Sequence, residues 1–283
     1  MNNTGPIGIF DSGVGGLSVM RHIREQLPNE DLMYIADNAH LPYGDKSKAF
    51  VAQRSLSVAE FLRGKGAKAL VVACNTATAA AINLLRDRWR NLPIIGMEPG
   101  LKPAAASTTT GIIGVLATAG TLNSRKFDIL NAQIDNSIHV IAQACPGLVE
   151  HVESGNFDGE DTRELLQVYV SALLERGVDA IVLGCTHYPV LKPLIRDVAG
   201  NGIDIIDTGS AVARQVVRRL EKDDLLHQRN HPGKVSFWSS DKSDNLHVAL
   251  SSLWKHEKIN LQNLPPESCG LGEKSVHLSE NRI

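Results

Sequence analysis

The chain repeats itself. Ile7-Gly8-Ile9-Phe10-Asp11-Ser12-Gly13 falls on Ile113-Gly114-Val115-Leu116-Ala117-Thr118-Ala119 at an offset of 106 residues, and the same offset lays Ile35-Ala36 on Ile141-Ala142. Further along the offset is 111. It places Ala69-Leu70-Val71-Val72-Ala73-Cys74 on Ala180-Ile181-Val182-Leu183-Gly184-Cys185, Ile94-Ile95 on Ile205-Ile206 and Lys65-Gly66 on Arg176-Gly177. A five-residue insertion in the second half accounts for the change. Any two α/β segments share some pattern. Four apolar runs in one order, with a cysteine closing the third run each time, constrain the chain to two related halves.

The eight runs lie at 7–10, 32–36, 69–73, 93–96, 111–116, 139–144, 180–184 and 203–206. Several are apolar on both faces, as strands covered by helices on both sides must be. Amphipathic stretches at 17–27, 46–63, 77–89, 161–175 and 190–198 predict helices between them. Strand alternating with helix reads as α/β with mainly parallel sheets. The repeat predicts two pseudo-twofold-related domains, 1–97 and 98–207, each with such a sheet and a site between them. Residues 208–255 carry a helix, the run VSFW and a further helix. Residues 256–283 have weak periodicity and are expected to form a loosely ordered tail in which Cys269 is incidental.

Charge narrows the function. A formal net charge of −2 gives no basic face for nucleic acid. No run of about 18 apolar residues predicts a membrane span, and MNNTGPIGIF has no signal-peptide pattern. A cytoplasmic location is the expectation, with four cysteines reduced. Cys74, Cys145, Cys185 and Cys269 show no C-x-x-C spacing, which argues against a zinc ribbon or a thioredoxin-type site.

Cys74 and Cys185 close equivalent strands, where open parallel sheets bind ligands. A helix follows each, and its positive end favours thiolate. Asn75, Thr76 and Thr186 have the chemistry to cap those helices or to hold a carboxylate with free N–H groups. Two thiols facing one carbon suit 1,1-proton transfer, one removing a proton and the other delivering one to the opposite face. A zinc set of Cys74, Cys185, His187 and Asp11 is the competing reading. The turn Asp11-Ser12-Gly13-Val14-Gly15-Gly16 is neither G-x-G-x-x-G nor a Walker loop. Asp11 would repel phosphate and suits an ammonium group or a neighbouring acid/base residue. His187 can tune the thiol two residues before it. Tyr43 and Gly44 lie on a loop able to close over a ligand.

GIFDSGVGGLSV, DNAHLPYGDKS, VVACNTATA, GVLATAGT and LGCTHYPVLKPLI resemble, in order, the motif series of the glutamate racemases, over roughly residues 5–210. The resemblance implies cofactor-independent interconversion of L- and D-glutamate, no metal, a cytoplasmic homodimer and D-glutamate supplied to peptidoglycan. It implies that Cys74 serves the D-enantiomer and Cys185 the L-enantiomer. Asp11, Ser12, Tyr43, Gly44, Asn75, Thr76, Thr186 and His187 become substrate contacts, and Thr118 and Thr121 carboxylate ligands. Asp11, His187 and Glu153 become auxiliary acid/base residues, Glu153 beside the second cysteine. Around Glu153 the chain departs from the commoner pattern at Gly147, Glu150 and His151. Some members carry a longer N-terminal extension tied to activation by a peptidoglycan precursor; with six residues before the first strand, that control is not expected here. An aspartate racemase or related isomerase, or a non-catalytic amino-acid-binding protein, are the alternatives.

Overall fold

The computed structural model describes residues 3–241, 244–255 and 259–265. The first half runs β1 (Ile7–Asp11), α1 (Leu17–Gln26), β2 (Leu32–Ala36), α2 (Lys48–Gly64), β3 (Ala69–Val72), α3 (Asn75–Arg88) and β4 (Ile94–Ile95). The second runs α4 (Leu101–Ser107), β5 (Ile112–Ala117), α5 (Ala119–Leu122), α6 (Arg125–Asn131), β6 (His139–Ala144), α7 (Leu148–Glu153), α8 (Glu160–Leu174), β7 (Ala180–Leu183), α9 (Lys192–Ala199) and β8 (Asp204–Ile206). α10 (Gly209–Lys222), β9 (Val235–Ser239), α11 (Asp244–Leu253) and β10 (Leu261–Asn263) follow.

Two all-parallel sheets result, ordered β10-β9-β2-β1-β3-β4 and β6-β5-β7-β8. Leaving aside β9 and β10, the orders are equivalent, so the sequence repeat is a structural one. Ile7 pairs with Ala69 and Ile113 with Ala180, as the two offsets require. The second strands differ from the sequence expectation. Gly8 pairs with Met33 and Gly114 with Ile141, so Ile35-Ala36 corresponds to Gln143-Ala144, two residues beyond the Ile141-Ala142 match. A two-residue slip leaves every side chain on the same face of a strand, so an apolar pattern alone does not register it. The chain leaves α2 and α8 through glycines at positive φ, Gly66 at 85° and Gly177 at 81°, the matched pair of helix stops.

Leu17, Met20 and Ile23 of α1 are buried at helical spacing against α10 and the core. That apolar cluster continues through α7 and Tyr188 into the second lobe, so one core spans both. The C-terminal segment is pinned to the first lobe by polar contacts as well. Arg24 donates to the carbonyls of Pro28 and Glu30 at 2.7 and 2.9 Å and to Gly233 at 3.2 Å. Arg229 pairs with Asp31 at 2.5 Å. β10 lies within the stretch read from sequence as a loose tail. Ile259 and Leu264, buried on either side of it, carry it into the sheet beside β9. Cys269 lies outside the described residues. No helix among the described residues is long and apolar enough to cross a membrane.

Candidate active site

β1, β3, β5 and β7 all end at the cleft between the lobes, and their following turns build one closed cavity. Ser12, Tyr43, Gly44, Cys74, Asn75, Thr76, Thr118, Thr121, Cys185, Thr186 and His187 all line it, joined by Pro42, Val149 and Gly184. Its free volume is about 10 Å³, room for about one water. The closure is steric: a Cβ on Gly44 would lie 2.8 Å from the Cβ of Thr118, and one on Gly120 would lie 2.8 Å from the Gly44 carbonyl. Hydroxyls knit the same seam, with Thr76 Oγ1 2.9 Å from Thr118 Oγ1 and 3.1 Å from Thr121 Oγ1.

The two cysteines sit in unequal surroundings. Cys74 is itself the N-cap of α3, its Sγ accepting from the Ala77 N–H at 3.5 Å. Asn75 and Thr76, expected as possible caps, instead lie in the first turn and line the cavity. Both amide atoms of Asn75 are buried without a hydrogen-bond partner, an arrangement that costs about 1–3 kcal/mol per group unless a ligand supplies one. No α-helix starts directly after Cys185. Tyr188–Leu191 form a 3-10 turn carrying Pro189, and α9 begins only at Lys192. The dipole expected for both thiols therefore bears on Cys74 alone.

Burial reverses the expectation of an activated Cys74. Loss of solvent pushes its thiol well above the ordinary value, and the charge of Asp11 adds to the rise. The dipole and the Ala77 N–H are too weak to offset complete desolvation. Asp11, at the end of β1, is fully buried and does not line the cavity. It accepts from the Gly16 N–H at 2.9 Å and lies 3.4 Å from Thr186 Oγ1. Burial and the charge of Glu153 raise its carboxyl.

Cys185 has a different partner set. Its Sγ is 3.6 Å from His187 Nδ1, and His187 Nε2 is 2.6 Å from Glu153 Oε1. Burial alone would lower the His187 pKa; the hydrogen bonds to Cys185 and Glu153, with the charges of Cys185 and Asp11, hold it well above its ordinary value. His187 thus turns Nδ1 to the sulfur and Nε2 to the carboxylate. Glu153 ends α7 and stands behind His187, off the cavity wall. Gly147, one of the departures from the commoner pattern, precedes α7 at φ 86°, a conformation suited to glycine.

The glycine-rich turn receives this relay. The Val14 N–H donates to Glu153 Oε1 at 2.6 Å, so one oxygen joins the first lobe to the second lobe's histidine. A Cβ on Gly13 would fall 1.8 Å from that oxygen, and one on Gly15 would fall 2.5 Å from His187 Nδ1. The turn thus has close approach as its purpose, with side chains rather than a phosphate as its occupant.

Asp37, at the end of β2, went unnoticed in the sequence. Its carboxylate takes Arg54 Nη2 at 2.6 Å and Nε at 3.0 Å, and the Tyr43 hydroxyl at 2.5 Å. Tyr43 therefore offers the cavity its ring and backbone; its hydroxyl is committed to Asp37. Burial opposes ionisation of Asp37, but His40, Arg54 and Tyr43 outweigh it and hold the carboxyl below its usual range. The available signal was an acid just past a strand's carboxyl end, one residue beyond the Ala36 that pairs with Asp11 on the neighbouring strand. Among the described residues, no group of three or more His, Cys, Asp or Glu side chains is arranged to hold a metal ion.

Two parallel sheets meeting at a cleft, with a thiol from each, define a class: the chain belongs to the Asp/Glu/Hydantoin racemase family, whose pattern residues 7–216 match. Its similarity within that family is to glutamate racemases. It is 56% identical to glutamate racemase of Methylococcus capsulatus over 252 residues, covering 89% of this chain and 93% of the relative. Glutamate racemase isoform RacE1 of Bacillus anthracis superposes with a TM-score of 0.84 at 32% identity, over 93% of this chain and 98% of the other. The Francisella tularensis glutamate racemase, solved in complex with D-glutamate, superposes with a TM-score of 0.81 at 28% identity over the same shares. The chain is an isomerase of the amino-acid racemase kind.

Proposed function

We propose that the chain interconverts L- and D-glutamate without a cofactor, using Cys74 and Cys185 as the two proton-transfer groups. The observation carrying this reading is that two thiols from equivalent strand ends wall one closed cavity, each backed by its own acid/base partners. The relatives' names supply the substrate.

In the L-to-D direction the Cys185 thiolate takes the α-proton and becomes S–H. The electron pair left on Cα delocalises into the α-carboxylate. The Cys74 thiol, kept protonated by burial, delivers its proton to the opposite face and becomes thiolate. The reverse direction exchanges these roles, with Asp11 beside Cys74 and the His187–Glu153 pair beside Cys185 as proton acceptors and donors. Asn75 has a donor for a substrate carboxylate and an acceptor for its ammonium group. Ser12, Gly44, Thr76, Thr118, Thr121 and Thr186 complete the contacts, and closure of Gly44 on Thr118 excludes water.

The same reading divides the lobes at 1–97 and 98–207, with 208–255 returned to the first. It makes the protein a cytoplasmic homodimer supplying D-glutamate to peptidoglycan synthesis and so to cell shape. The test is circular dichroism of L-glutamate incubated with dialysed enzyme, a metal chelator and a carbonyl reagent. Loss of ellipticity to a racemic mixture is expected. A stable signal, or activity restored only by zinc or pyridoxal phosphate, would overturn the reading.

A further inference from the structure

The inner cavity, with about 10 Å³ free, admits no amino acid as it stands. A substrate must wait outside until Gly44 parts from Thr118 and Gly120. Immediately outside that seam lies a second cavity of about 550 Å³, and it shares Gly44 and Thr76 with the inner one. Both lobes build it. Lys46 and Lys48 come from the first lobe, on the loop and first turn of α2. Arg125 and Lys126 come from the second, in the first turn of α6.

Its charge is one-sided. Asp45 is the one acidic residue on its wall. Lys126 is already paired with Glu98, at 2.5 Å. Lys46, Lys48 and Arg125 are exposed and leave an excess of positive charge facing a space large enough for an amino acid. Such a concave patch raises the local concentration of anions and speeds their capture. The chain as a whole is slightly acidic, at −2, so this concentration of cations at the mouth is a local feature.

We propose that this vestibule is an access site that holds an anionic amino acid by a carboxylate before the seam opens. The proposal rests on the reading of the substrate as glutamate, whose net negative charge at neutral pH supplies the attraction. The lobes bring like charges together across the vestibule, and a carboxylate between Lys48 and Arg125 relieves their repulsion. The ligand is thereby held with its free end towards the seam. Lys48 and Arg125 are thus positioning residues, acting before chemistry and touching none of the reacting atoms.

The test compares wild type with Lys48→Glu/Arg125→Glu. At low ionic strength the variant's kcat/KM for glutamate is expected to fall about ten-fold, with kcat within two-fold. Added salt should lower kcat/KM of the wild type and raise that of the variant, whose reversed charges repel the substrate, since screening acts over about 10 Å at 0.1 M. Lys48→Gln/Arg125→Gln should lie between, and it stands in if the reversed charges impair folding. Saturation-transfer NMR with glutamate reads the contact without turnover: the signal should weaken in the variants and with salt. Unchanged kcat/KM, or equal salt slopes with equal saturation transfer, would overturn the proposal. If the wild type binds glutamate but does not exchange its α-proton, the racemase reading fails, while the NMR comparison still decides the vestibule.

Discussion

Gly13→Ala is a side-chain addition in the first lobe that should act on proton transfer in the second. Gly13 is not among the positive-φ glycines, so its backbone accepts alanine. The new methyl would sit 1.8 Å from Glu153 Oε1, whereas ordinary contact begins at 3.4 Å. The carboxylate must retreat by about 1.6 Å. It cannot do so and keep both its 2.6 Å contacts, to Val14 N–H and to His187 Nε2. The other close atom is the Leu41 Cδ1, also a flexible side-chain end, so the loss of stability should be limited to about 1.5–3 kcal/mol, that of the hydrogen bond given up. A hydrogen bond to a charged group contributes about 1.5–3 kcal/mol, which corresponds to about a 10- to 100-fold loss in rate. Steady-state kinetics in both directions, with thermal melts as control, measure it. kcat for L-to-D should fall most, and kcat/KM should fall equally in both directions, as an equilibrium constant near one demands. A cycle with Glu153→Gln should be strongly non-additive, because both changes break one relay. Full kcat in Gly13→Ala, or additive losses, would refute the coupling of this turn to His187.

Other outcomes follow from the same geometry. Cys74→Ser and Cys185→Ser should each nearly abolish racemisation in both directions while differing in HX elimination from a halogenated glutamate analogue, which needs one base; full racemisation by either would exclude the two-thiol mechanism. Asp11→Asn should lower kcat mainly for D-to-L and His187→Asn mainly for L-to-D, with compensating KM changes; equal kcat losses would make both residues general binding groups. Asp37→Asn removes the carboxylate that pairs with the buried Arg54 and should cost about 3 kcal/mol at neutral pH. Because the folded Asp37 pKa lies below its unfolded value near 3.9, that stabilisation is present above the unfolded value. It is lost as pH falls through the folded one, so denaturation curves of wild type and variant should converge in acid.

Much of the architecture was legible because its cause is local. Buried parallel strands must be apolar on both faces, so their eight runs stand out, and the offsets expose the duplication. The positions of Cys74 and Cys185 followed from strand order, and the cavity gathers most of the residues expected at the site, with Asp11 and Glu153 standing behind its wall. What escaped depends on packing. A two-residue slip in the partner of Ile141 preserves the apolar pattern. The strand at 261–263 is too short to announce itself without β9 beside it. The raised Cys74 thiol reflects burial by both lobes, which no spacing encodes. Asp37 reads as a surface loop acid until Arg54, 17 positions on, is brought against it. Glu153 could be placed near the second cysteine only by resemblance; its bond to the Val14 N–H exists because the lobes meet there.

Two-thiol proton transfer has an isotopic signature. L-glutamate is incubated in deuterium oxide, and the two enantiomers are separated within the first few per cent of conversion. With Cys185 removing the proton on one face and Cys74 delivering from the other, the D-glutamate formed should carry deuterium at Cα. The recovered L-glutamate should remain protiated. Protium retained in the D product, or deuterium appearing early in the L pool at the same rate, would mean that one group serves both faces and would contradict the mechanism.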